Sequence, residues 1–126
     1  MLNTYDPALA PDSGAWLAID EASRLDLVLA HHERQRITVA NARLHAAIHV
    51  VVENQLALGE IVVVDTFARL QREGLSRHDA IHAVGSVLAQ TLLAAIRTKT
   101  TSPFGLAGGY LEDLKTLTAE AWKAES

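Results

Sequence analysis

Apolar residues recur at three- and four-residue spacing along most of the chain, the period of helices with one face turned inward. Pro7, Pro11 and Gly14 interrupt the pattern at the start, so residues 1–14 are expected to form an irregular surface arm. Asp12 or Ser13 then caps a helix from about Ala15 to about Arg34. The next periodic stretch runs from Asn41 to Leu58 and stops at Gly59, a residue suited to the left-handed turn that follows helix ends. Ile61 to Val64 is β-branched and alone would suit a short strand, but Phe67, Ala68 and Leu70 continue at helical spacing to Gly74, and the segment is read as helix. Ser76 with Asp79 three residues later resembles a capping box and opens a helix to about Thr98. Residues 99–109, KTTSPFGLAGG, have no periodicity and are read as a loop. Tyr110 to about Lys123 forms the last helix, with Leu111, Leu114, Leu117, Ala121 and Trp122 as its apolar stripe. The pattern predicts an all-α fold, a compact array or bundle of about five helices, with residues 15–126 as a single domain.

A chain of 126 residues is long enough to bury one core without covalent staples. Its 11 Lys and Arg against 15 Asp and Glu leave a net charge of −4, which provides no general attraction to phosphate backbones, so nucleic acid is not expected as a partner. There is no cysteine, which excludes disulfides, thiolate metal ligands and a cysteine nucleophile. Residues 1–14 lack the basic start and apolar stretch of a secretory signal, and no run is read as a membrane span of about 18 apolar residues. The expectation is a cytoplasmic protein with no membrane partner. An apolar helix face left over after packing would make it a homo-oligomer, most simply a homodimer.

The chemistry lies in two pairs of histidines at helical spacing, His45 with His49 and His78 with His82, and in Glu53 one turn beyond the first pair. Residues four apart share a helix face, so each pair aims two imidazoles the same way. Gly85 and Ala89 follow His78 and His82 on a face that also holds Leu92 and Ile96 and reads as buried; their small side chains admit a neighbouring helix and leave room beneath the rings. A buried polar group without a partner costs about 1–3 kcal/mol, so four imidazoles and a carboxylate must be satisfied together. A divalent transition metal does this, and His45, His49, Glu53, His78 and His82 are its expected ligands, with zinc, iron, nickel or manganese as the metal. Gln55, inside the apolar arc, is a candidate to orient a ligating ring. His31 and His32 are adjacent and point to different faces. They read as surface histidines near a helix C-terminus, the alternatives being that one of them completes the metal shell or forms a second site with Glu21.

The segments LHAAIHVVVENQLALG (44–59) and GLSRHDAIHAVGSVLA (74–89) resemble a family of small bacterial domains of unknown function that shares LHxxxHxxxENQ and RHxxxH elements. The resemblance implies a bacterial, helical, metal-binding domain with His45, His49, Glu53, His78 and His82 at the motif positions. Asp79 departs from it, standing where that family commonly has Glu, which weakens a metal role for this carboxylate. No reaction transfers with the resemblance. Ala46 occupies the place of the catalytic Glu in an HExxH protease, and only Asp79-x-x-His82 echoes the paired Glu-x-x-His elements of a ferritin-like di-iron centre. A metal-dependent hydrolase or oxidase is one alternative to simple metal binding. The other is a metal-free helical interaction module with a buried histidine cluster.

Overall fold

The computed structural model describes residues 4–34, 41–98 and 103–125. Among these, seven helices and no strands are found: α1 (Ser13–Leu17), α2 (Glu21–Arg34), α3 (Ala42–Ala57), α4 (Ile61–Arg72), α5 (Arg77–Thr98), α6 (Pro103–Thr116) and α7 (Ala119–Glu125). The fold is the all-α compact array expected, but with two expected helices each divided in two. The first breaks after Leu17 because Asp20 caps α2, its carboxylate accepting from Ser23 Oγ (2.7 Å) and Ser23 N (3.1 Å). Arg24 braces the break by donating to the carbonyls of Trp16, Leu17 and Ile19. The last breaks at 117–118, where Thr118 Oγ1 accepts from Ala121 N and the Glu73 carboxylate accepts from Ala119 N. Conversely, α6 begins at Pro103, inside the stretch read as a loop; proline suits a first helical turn because its missing N–H has no role there. Residues 1–3 of the expected arm, 99–102 of the expected loop, 35–40 and 126 lie outside the described residues.

Caps and turns elsewhere follow the sequence. Asn41, at φ 115°, caps α3 by accepting from Leu44 N, Ser76 Oγ accepts from Asp79 N, and Gly59 turns the chain at φ +73° so that α3 and α4 meet at 104°. The described part of the arm is irregular and mostly exposed, as expected, but two of its side chains point inward: Tyr5 is 2% exposed and Pro7 is buried. Two backbone carbonyls hold it down, Tyr5 O accepting from Arg34 Nη2 (3.1 Å) and Pro7 O from Arg77 Nη1 (2.9 Å).

α5 packs against α3, α4 and α6, and α3 in turn packs against α1 and α2. One apolar core, including Val52, Val63, Leu70, Ile81, Val84 and Leu114, surrounds α5; a second, of Tyr5, Trp16, Val28, Ala46 and Val50, lies under the arm. α3 contributes to both. Contrary to the sequence expectation, α5 is long and apolar enough to cross a membrane by length and composition, a property it shares with core helices packed on several sides. Its buried face ends near Ala89: Leu92 and Ile96, expected inside, are 38% and 74% exposed.

The contact between α3 and α5 depends on Gly85, where an added Cβ would stand 2.9 Å from Ile48 Cγ2. Gly85→Ala gains up to about 1 kcal/mol of helix propensity but forces a β-branched side chain to move, which typically costs about 1–3 kcal/mol. A lower denaturant midpoint is expected for Gly85→Ala, and a smaller drop, or none, when the same change is made in an Ile48→Ala background. Independent, additive effects of the two substitutions would show that the helices do not meet there.

Candidate metal centre

Three helices each bring one pair of histidines to the same place: His31 and His32 from the end of α2, His45 and His49 from α3, His78 and His82 from α5. All six histidines of the chain are thereby joined through ring contacts, with His49 touching His32, His45, His78 and His82. Nε2 of His49 and Nε2 of His82 are 2.9 Å apart. This is a hydrogen-bonding distance; two nitrogens bound to one tetrahedral ion at about 2.0–2.1 Å would be separated by about 3.3–3.4 Å, so a shift of about 0.5 Å would bring the pair to ligand spacing. Two groups of three have ligand atoms mutually within 4.8 Å, His32/His45/His49 and His49/His78/His82. Nε2 of His31, His32, His45 and His78, and Nδ1 of His32, are buried without a hydrogen-bond partner among the described residues.

His31 and His32, read from sequence as surface residues, are only 6% and 3% exposed: His31 meets Tyr5 of the arm, and His32 packs against His45 and His49 of α3. Tyr5 makes an edge contact with His31 at 5.9 Å between ring centres and another with His49 at 6.2 Å. Glu21 joins neither histidine group among the described residues; its carboxylate faces Asn54 and Arg24 at the surface. Gln55 accepts from the Tyr110 hydroxyl at 2.7 Å and so does not orient an imidazole.

Glu53 lies one step behind the rings. Its Oε1 accepts from Arg77 Nη2 (2.7 Å), and its Oε2 accepts from Arg77 Nη1 (2.9 Å) and from the Tyr5 hydroxyl (2.6 Å). The Tyr5 oxygen is in turn 3.4 Å from His49 Nδ1. Because the short hydrogen bond to the carboxylate takes the only phenol proton, the oxygen is left to accept, which places the His49 proton on Nδ1 and the lone pair on Nε2. Burial and the neighbouring Glu53 carboxylate raise the Tyr5 pKa well above that of an ordinary phenol, keeping that proton in place. An imidazole tied at one nitrogen to a hydrogen-bonded anchor, with the other nitrogen facing inward, is the usual arrangement of a metal-ligating histidine. Neither Tyr5 nor Arg77 is among the sequence-predicted site residues.

Burial lowers the pKa of every histidine in the cluster, assisted in most of them by the proximity of the other rings; His49 falls to about 2 and His32 and His82 to about 4. Asp79 and Asp6 oppose this only in part at His78, and at His82 and His31 respectively. The rings are therefore neutral at pH 7, the form that binds metal. Since the folded values lie below the ordinary 6.5, the unfolded chain takes up protons first, and stability is lost as pH falls from about 6.5 toward 4. In chelator, the thermal midpoint is expected to drop by at least about 5 °C per pH unit across that window. A midpoint flat from pH 6.5 to 4.5 would mean that the imidazoles protonate within the fold.

Two cavities reach the cluster. One of about 570 Å³ is lined by Thr4, Tyr5, Asp6, Pro7, His31, Arg34 and His78; the other, of about 270 Å³, lies between α3 and α5 among His45, Ile48, His49, His82, Gly85 and Ala89. The room expected beneath the α5 rings is thus present at Gly85 and Ala89. Comparison with protein-family models, with curated proteins and with solved structures finds no match to this chain.

Proposed function

We propose that this protein binds a divalent transition-metal ion within its histidine cluster, with His49, His78 and His82 as the central ligands and His45 and His32 beside them. The observation that carries this reading is the convergence of two triads of imidazoles, His49/His78/His82 and His32/His45/His49, each with ligand atoms within 4.8 Å of one another, while ring nitrogens of His32, His45 and His78 are buried without a partner among the described residues. Four such nitrogens at about 1–3 kcal/mol each would offset most of the ~5–15 kcal/mol by which a domain is stable. A cation draws several lone pairs to one point, and the lowered pKa values leave those lone pairs free. Glu53, committed to Arg77 and Tyr5, acts by holding His49 in place. A set of nitrogen donors with no carboxylate among them suits zinc, iron or nickel and disfavours manganese, which prefers oxygen ligands.

Thermal unfolding of tag-free protein tests this reading. Zn²⁺ or Ni²⁺ at about one hundred times its dissociation constant is expected to stabilise the fold by about 2.7 kcal/mol, a rise of about 8–10 °C, reversed by chelator. An unchanged midpoint with zinc, nickel and iron alike would overturn it.

A second reading, metal-dependent hydrolysis or oxidation, is favoured by the two cavities, since catalytic metal sites keep a coordination position open to substrate. Turnover of a chromogenic ester by metal-loaded protein, absent after chelation, would support it.

A further inference from the structure

We infer that the cluster holds two metal ions, one bound by His49, His78 and His82 and a second bound by His32 and His45. The inference rests on the metal-binding reading and extends it to a two-ion centre. Ligands on one ion at about 2.0–2.1 Å lie at most about 4.2 Å apart. His32 and His45 do not join His49, His78 and His82 in a single group even within 4.8 Å; they form a separate group that has only His49 in common with the other. No single ion reaches both ends of the cluster as it is built.

His49 serves one ion. Its Nδ1 faces the Tyr5 hydroxyl, so only Nε2 is available, and that atom is 2.9 Å from His82 Nε2, which assigns it to the α5 side. An ion there draws on His78 but leaves His32 Nδ1, His32 Nε2, His45 Nε2 and His31 Nε2 buried and without a partner among the described residues. The His32 and His45 rings are 4.8 Å apart between centres, against 4.9 Å for His45 and His49. A second cation between His32 and His45 therefore sits next to the first, with solvent ligands completing its shell. Two-metal centres place their ions about 3.5–4 Å apart, a separation that neighbouring histidine groups sharing one ring can accommodate.

The test is the number of Co²⁺ ions retained per chain by tag-free protein after loading and gel filtration, measured by elemental analysis. Two per chain are expected for the wild type, falling to one in the double variant His32→Asn, His45→Asn. One per chain in both proteins would overturn the second site and leave the metal-binding reading standing, whereas none in the wild type would overturn both. A measurement on the wild type alone guards against a variant that fails to fold. Neighbouring Co²⁺ ions couple magnetically, so the paramagnetic resonance intensity per cobalt is expected to fall as the second equivalent enters. Strictly additive intensity would overturn the two-ion centre.

Discussion

Arg77→Met is expected to destabilise the protein by about 3–5 kcal/mol, the usual cost of removing one partner from a buried ion pair, and to lower the thermal midpoint by about 10–15 °C. The Glu53 side chain is 1% exposed and that of Arg77 11%, and the two meet through a pair of parallel hydrogen bonds of 2.7 and 2.9 Å. Without the guanidinium the carboxylate is buried with the Tyr5 hydroxyl as its remaining partner, and the arm loses the bond to Pro7 O. Arg77 also lies over the Phe67 ring at 5.4 Å, so methionine is chosen to preserve part of that packing. The double variant Glu53→Gln, Arg77→Met is expected to recover a substantial share of the loss, because it removes the stranded charge along with its partner. A loss below about 1 kcal/mol for Arg77→Met alone, the range of an exposed pair, would show that Glu53 is not sealed in the interior.

His49→Ala is expected to weaken metal binding at least about 100-fold, more than any other single histidine substitution, because its Nε2 stands 2.9 Å from His82 Nε2 while its Nδ1 faces the Tyr5 hydroxyl that orients the ring. Tyr5→Phe keeps the ring but removes the oxygen facing His49 Nδ1, and a loss of about 10–100-fold is expected, as for other groups that orient a ligand. His31, which belongs to neither group, is expected to tolerate alanine with affinity changed by only a few fold. Competition against a chromophoric chelator measures all three. Equal affinities for His49→Ala and His31→Ala would remove the basis for placing an ion at the centre of the cluster.

The pairs His45/His49 and His78/His82 were legible because helical spacing alone puts each on one face, and Gly85 with Ala89 marked the close approach of α3 and α5. His31 and His32 were not, since local periodicity sends adjacent residues to different faces. What buries them is contact between segments distant in sequence, Tyr5 of the arm against His31 and the α3 histidines against His32, which no local pattern encodes. Tyr5 left no signal for the same reason. Arg77 had one: a glutamate on the apolar side of a helix requires a cation, and Arg77 immediately precedes His78 on the helix facing it. The divisions between α1 and α2 and between α6 and α7 were hidden because apolar spacing continues through them, while Asp20 and Thr118 act as caps through single hydrogen-bonding side chains. Leu92 and Ile96 keep the helical period of the buried face although α5 has passed beyond the packed region by that point. Periodicity reports which residues share a side of a helix. It does not report how far along the helix a neighbour extends.

The most direct test is an anomalous difference map from a crystal of metal-loaded protein, recorded on both sides of the metal's absorption edge. A peak about 2.0–2.3 Å from Nε2 of His49, with the rings of His78 and His82 turned toward it, is the expected result. A loaded crystal whose anomalous peaks all lie outside bonding distance of the six imidazoles would overturn the assignment of this cluster as a metal centre.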